Sequence, residues 1–144
     1  MLIDMDDRET NVMMKELGEM EIMCYPKRLK TGDYVWKDVC IERKTMDDFC
    51  ASMIDGRLRS QVERMKKEFK YNYVLVSGKI SGRKGDMNEN CVIGMLVSLV
   101  VKYNIKILIL EDDRQLAYAI KRILERHEKM YDLEEMKGGE VNGK

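Results

Sequence analysis

The chain has 144 residues, 44 % apolar and 36 % charged, with a formal net charge of zero. That is one domain's worth of sequence, apolar enough to bury a core and too apolar to be a disordered tract. The longest apolar run, Val92 to Val101, is shorter than a bilayer span and is broken by Gly94 and Ser98, and MLIDMDD lacks the basic lead of a secretory signal, so neither a membrane protein nor a secreted one is expected.

In chain order, Leu2 to Asp6 alternates weakly and predicts a first strand, and TNVMMKEL predicts a short helix ending at Gly18. Glu21 to Tyr25 predicts a second strand, stopped by Pro26, the only proline. Tyr34 to Trp36 and Val39 to Arg43 are two short strands about a Lys37-Asp38 turn, and Thr45 opens a helix with a Thr-x-x-Asp capping pattern. Asp55-Gly56 breaks that helix. A second runs from Leu58 to Phe69 with Leu58, Val62, Met65 and Phe69 on one face. Tyr73 to Val76 is a strand, followed by the polar loop SGKISGRKGDMNEN. Cys91 to Tyr103 is apolar nearly all round and predicts a buried helix, covered by the sheet or partly by another chain; Ile105 to Leu110 hardly alternates, as in a strand covered on both faces. A last helix is expected from Asp113 to about Glu128, then a frayed KGGEVNGK tail. The order implies one α/β domain over residues 1–130, with helices on both faces of a sheet and a flexible tail over 131–144.

Cys24, Cys40, Cys50 and Cys91 form no CxxC pair and there is a single histidine, so reduced thiols in an intracellular compartment, cytoplasmic or nuclear, are expected and a structural zinc site is not. The zero net charge hides an asymmetry. Residues 1–26 carry two basic and seven acidic side chains, residues 57–84 nine basic and two acidic. A local basic band suffices to meet phosphates, although a solvated helix face would look the same.

The chemistry concentrates in GDYVWKDVCIERKTMDD, residues 32–48. If the strands pair about Lys37-Asp38, Tyr34 faces Ile41 and Asp33 faces Glu42, and alternation puts Asp33, Val35, Cys40, Glu42 and Lys44 on one face. Carboxylates opposite one another repel unless a divalent cation lies between them. Two carboxylates and a carbonyl suit Mg²⁺, and Lys44 further along the face could orient an attacking water. The plainer reading puts Asp33 in a turn and pairs Glu42 with Lys44 in solvent. Spacing alone leaves both open.

These residues resemble the nuclease domain of the XPF/Hef family of DNA structure-specific endonucleases. Its Gly-Asp…Glu-Arg-Lys-x-x-x-Asp signature falls on Gly32, Asp33, Glu42, Arg43, Lys44 and Asp48; its Asp-x-Arg-Glu on Asp6, Arg8 and Glu9; its Gly-Arg-Leu-x-x-Gln on Gly56, Arg57, Leu58 and Gln61. The matched blocks run in order over about residues 3–126. The resemblance implies a restriction-endonuclease-like α/β/α fold with a central mixed sheet. It further implies a catalytic Mg²⁺ or Mn²⁺ held by Asp33, Glu42 and the Arg43 carbonyl, with Lys44 positioning the water and Asp6 and Asp48 as supporting acids. Arg8, Glu9 and Arg43 would share one polar network, and Arg57 and Gln61 would lie near the cleft. Arg57, Arg59, Gln61, Arg64, Lys67, Arg83 and Lys84 form the expected DNA-contacting set.

The resemblance also implies a homodimer, through the Val92–Val101 helix and the last helix. A partner protein that supplies DNA-structure recognition is a further expectation. The helix-hairpin-helix module usual after such domains does not occur within these residues, which leaves the preferred DNA structure open. Cleavage of branched, flap or fork DNA is the leading function. A Holliday-junction or general nuclease of the same superfamily and a non-catalytic DNA-binding dimer partner are the alternatives.

Overall fold

Six short stretches pair into one mixed sheet. The computed structural model describes residues 1–82, 85 and 87–142, with side chains as far as 138. The strands are β1 (Leu2–Asp6), β2 (Met23–Lys27), β3 (Tyr34–Trp36), β4 (Val39–Thr45), β5 (Tyr71–Ser77) and β6 (Lys106–Leu110), in the order β2-β1-β3-β4-β5-β6. β1 runs parallel to β2 and antiparallel to β3, β3 is antiparallel to β4, and β4, β5 and β6 are parallel. The helices are α1 (Asn11–Glu19), α2 (Met46–Ile54), α3 (Arg57–Glu68), α4 (Glu89–Lys102) and α5 (Asp113–Asn142).

Alternation along the central strands gives two cores. On one face, Met13 and Leu17 of α1 and Leu116, Ile120 and Leu124 of α5 cover Ile3, Met5, Tyr34 and Ile41. On the other, Phe49 of α2, Leu58, Val62 and Met65 of α3 and Val92 and Leu99 of α4 cover Cys40, Val74 and Val76. The result is the expected three-layer α/β/α arrangement. The hairpin has the expected register: Tyr34 opposite Ile41, Val35 opposite Cys40, Trp36 opposite Val39.

Three expectations change. Pro26 does not end β2, because β2 is an edge strand; the Met23 N–H points inward to the Met1 carbonyl, so the proline nitrogen three residues on faces the open edge, where a missing donor costs nothing. The apolar runs of α4 and β6 are not fully covered: Ile93, Val97, Val100 and Val101 of α4 and Leu108 and Ile109 of β6 are exposed, because β6 is the other edge and α4 buries only one stripe. Finally, α5 runs to Asn142 rather than ending near Glu128.

A contact made by Tyr131 accounts for the local order there. Its ring meets Trp36 edge-on at 5.5 Å, its hydroxyl donates to Asp38 Oδ2 at 2.8 Å, and the Lys37 ammonium lies 4.6 Å from its centroid and 4.9 Å from that of Trp36. An aromatic pair and a half-exposed cation–π contact together contribute about 1–2 kcal/mol. Tyr131→Ala should therefore lower the thermal midpoint by roughly 3–6 °C. An unchanged midpoint in calorimetry would show that the contact does not hold the helix down.

Candidate functional site

The site begins with a glycine. Gly32 has φ of +80°, and a Cβ there would come within 2.4 Å of Cys40 Sγ. Only glycine allows the chain to turn so tightly into Asp33. Asp33 lies just outside the regular ladder. Its N–H donates to the Ile41 carbonyl at 2.9 Å, and its own carbonyl accepts the Asp6 N–H at 2.8 Å. Its Oδ2 accepts the Arg43 N–H at 2.7 Å. In a strand the N–H and C=O of one residue leave on the same side, so the Arg43 carbonyl also points toward Asp33 and away from β5.

Glu42 and Lys44 share the face of β4 that meets α2 and α3. Both are buried, with Lys44 Nζ 3.6 Å from Glu42 Oε1. The plainer reading of the sequence has this pair in solvent; it forms, but inside the fold. Asp33 and Glu42 line one polar cavity of about 280 Å³ together with Arg8, Thr31, Gln61 and Arg64. A larger apolar groove of about 500 Å³, between Met20, Leu110 and Tyr118, holds no carboxylate and lies away from this chemistry.

Burial, and then the neighbouring Glu42 and Glu9 carboxylates, push the Asp33 carboxyl up to about 8. Burial raises Glu42 as well, against the attraction of Lys44. Asp6 behaves oppositely. Its carboxylate accepts Arg8 Nε and N–H on Oδ1, both at 2.8 Å, and Arg8 Nη2 at 2.6 Å and the Leu29 N–H at 3.2 Å on Oδ2. The Arg8 guanidinium holds it down to about 2. These hydrogen bonds tie the 29–33 segment to the end of β1 and aim Arg8 along the cavity.

On the opposite face of β4, Arg43 Nε meets Glu9 Oε2 at 2.8 Å and Arg43 Nη1 meets Asp113 Oδ1 at 3.2 Å, while the Tyr34 hydroxyl donates to Glu9 Oε2 at 2.5 Å. Arg43 thus fixes Asp33 through its backbone and Glu9 through its side chain. Asp48 stands apart. It is exposed in the first turn of α2, its N–H is capped by Thr45 Oγ1 at 3.1 Å, and among the described residues its carboxylate makes no hydrogen bond or ion pair.

The helical stride divides the basic band. Arg57, Gln61 and Arg64 face one way and line the cavity or the adjoining cleft at Asp55, Gly56 and Ser60. Arg57 is paired with Asp55 at 2.7 Å. Arg59 points away and pairs with Glu63 at 3.2 Å, and Lys67 is exposed and lines neither cavity. Arg83 and Lys84 lie outside the described residues. Thr31 joins the cavity wall although the sequence offers no sign of it beyond its place before Gly32-Asp33.

Among the described residues no three His, Cys, Asp or Glu side chains converge on one point. Asp33 and Glu42 line one cavity and the Arg43 carbonyl leaves β4 on the Asp33 side; two carboxylates and a carbonyl are a hard oxygen set of the kind that leaves a magnesium-sized ion most of its waters. The raised Asp33 carboxyl fits that role, since a cation would relieve the repulsion that now favours its proton.

The raised value fixes a pH dependence. An unfolded aspartate loses its proton near pH 4, whereas folded Asp33 keeps it to about 8, so across that interval the folded state holds the extra proton and stability falls as pH rises. In metal-free buffer the urea midpoint should drop between about pH 5 and 8.5, and Asp33→Asn should flatten the drop. Asp6, held down to about 2, contributes in the opposite sense: its stabilisation is present above about pH 4 and lost as pH falls through 2. A midpoint that stayed level or rose across the upper interval would contradict the assignment for Asp33.

The ERCC4 domain model matches residues 5–123. The 3'-flap repair endonuclease Xpf of Saccharolobus solfataricus is 31 % identical over 124 residues, which are 84 % of this chain and 53 % of that protein. XPF from Aeropyrum pernix aligns structurally with a TM-score of 0.83 at 25 % identity, over 94 % of this chain and 69 % of that one. A structure of the same Aeropyrum protein in complex with DNA gives 0.82 at 26 % identity, covering 89 % and 65 %. The chain thus spans about half the length of the Saccharolobus relative.

Proposed function

This chain belongs to the ERCC4 domain family, and on that premise we propose that it is a divalent-metal-dependent endonuclease hydrolysing phosphodiester bonds at branched, flap or fork DNA during repair or recombination. The observation that carries the reading is the pair of carboxylates, half-buried Asp33 and buried Glu42, in one cavity with Lys44 on the same face. Relatives named as a 3'-flap repair endonuclease and as a protein solved with DNA support it.

Asp33, Glu42 and the Arg43 carbonyl would hold Mg²⁺ or Mn²⁺, which supplies Lewis-acid stabilisation of charge on the phosphoryl oxygens. Lys44, held against Glu42, orients the attacking water for in-line displacement. Asp6 acts by keeping Arg8 directed along the cavity, where the guanidinium can meet a phosphate oxygen. Arg57 and Arg64 extend that positive edge along α3, a sequence-independent grip suited to recognising DNA by shape. Asp48 keeps its place as a supporting acid only if bound DNA or metal draws it inward.

The exposed apolar side chains of α4 and β6 form the face through which a homodimer would assemble. A partner protein that supplies DNA-structure recognition fits the same surface. No described helix is long and apolar enough to cross a membrane, and an intracellular site of action follows from a DNA substrate.

The test is incubation with end-labelled flap, fork, four-way-junction and single-stranded DNA in Mg²⁺, Mn²⁺ or chelator. Cleavage of the flap or fork that requires metal is expected. Protein that cuts none of them with metal present would overturn the reading.

A further inference from the structure

Among the described residues, the cavity lining carries two polar atoms with no hydrogen-bond partner. Thr31 Oγ1 and Gln61 Oε1 are buried and without a hydrogen-bond partner, and both residues line the cavity shared by Asp33 and Glu42. Thr31 is only 6 % exposed. The two come from separate elements: Thr31 from the segment leading into Gly32, Gln61 from α3. A buried polar atom left unpaired destabilises the fold, so two of them lining one cavity, beside the carboxylates of Asp33 and Glu42, mark a place where something else completes the hydrogen bonds.

The atom types select the occupant. The Gln61 oxygen can only accept, and the Thr31 hydroxyl can accept as well as donate, so what satisfies both must carry a proton to give. A phosphodiester oxygen is an acceptor and does not qualify; its natural partners on this wall are the guanidinium groups of Arg8 and Arg64. Water in the hydration shell of a divalent cation is a strong donor, and a magnesium-sized ion retains several such waters when the protein supplies few ligands. Asp33 and Glu42 supply two.

We propose that Thr31 Oγ1 and Gln61 Oε1 accept hydrogen bonds from a water bound to the cation held by Asp33 and Glu42, which makes Thr31 a positioning residue for the metal. The inference rests on the metal-dependent reading above and goes beyond it by assigning a role to a residue outside the family signature.

The test is Mn²⁺ affinity, measured by electron paramagnetic resonance or calorimetry without DNA, on the wild type, Thr31→Val and Thr31→Ser. Valine keeps the shape and removes the hydroxyl; serine restores the hydroxyl. Losing a hydrogen bond that orients a metal's surroundings typically weakens binding 10–100-fold, so Thr31→Val should bind Mn²⁺ at least about tenfold more weakly. Thr31→Ser should stay within about threefold of the wild type and melt like it in chelator, whereas Thr31→Val should melt no lower than the wild type there, because it removes the unpaired hydroxyl. Thr31→Val binding as tightly as the wild type, or Thr31→Ser as weakly as Thr31→Val, would overturn the inference and leave the nuclease reading intact. A wild type that binds no Mn²⁺ would overturn both.

Discussion

Asp33→Asn should abolish cleavage and at the same time make the metal-free protein more stable at neutral pH. Asparagine retains a side-chain oxygen to accept the Arg43 N–H, now met at 2.7 Å, so the local backbone has no reason to move. What disappears is the cost of holding a proton on Asp33 at neutral pH, a cost imposed by burial and by Glu42. On the proposed metal-dependent reading the cation would lose one of two carboxylates, and turnover should fall by at least the roughly 10²–10³-fold that losing one transition-state charge partner costs. DNA binding, which the proposal assigns to arginines on α3 and to Arg8, should change little. The opposite signs are what discriminate. A residue serving only the fold would lose stability and activity together, whereas a metal ligand loses activity and gains stability. Lys44→Met is a useful companion: it keeps the aliphatic stem in place but leaves Glu42 without the ammonium 3.6 Å away, so activity should fall without the gain in stability.

Arg43→Ala should be the most damaging single change to stability among the site residues. The guanidinium is 14 % exposed and joins Glu9, itself 10 % exposed, to Asp113. Removing it leaves Glu9 buried beside the Tyr34 hydroxyl and within the influence of Asp33, with no cation. Breaking a buried pair from one side costs about 3–5 kcal/mol, and since this pair is not fully enclosed the lower figure applies, which is roughly a 10 °C fall in thermal midpoint for a chain of this size. Adding Glu9→Gln should recover part of the loss, because the stranded charge goes with it. If Arg43→Ala melts within a degree or two of the wild type, the network contributes no more than a surface ion pair.

The hairpin was legible because a two-residue turn and strict alternation leave only one register in which Tyr34 and Ile41 both face the core. The same alternation placed Glu42 and Lys44 together. It could not show that Asp33 steps out of the ladder to bond the Arg43 N–H with its side chain, since that depends on Gly32 turning at positive φ against Cys40. Nor could it separate Arg59 from Arg64. Both belong to one basic run, and only the helix docking through Leu58, Val62 and Met65 decides which of them meets the cavity. The apolar runs of α4 and β6 misled for a physical reason: hydrophobicity reports that a surface wants covering, not whether the same chain covers it. The last helix was cut short because its polar, glycine-containing end carries no core signal, while its anchor is a single aromatic on a distant turn.

That anchor has a kinetic consequence. The bond from Tyr131 to Asp38 joins residues 93 apart in sequence, with β4, β5 and β6 between them. Closing so long a loop adds little to the entropic cost once the sheet exists, because that cost grows only with the logarithm of length, yet the contact has nothing to grip until β3 and β4 have paired. It therefore forms late, and a late contact changes the rate of unfolding far more than the rate of folding. The turn between Asp33 and Glu42 is thereby closed by the last part of the chain to arrive, and the lifetime of the native hairpin is set in part at the far end of the sequence.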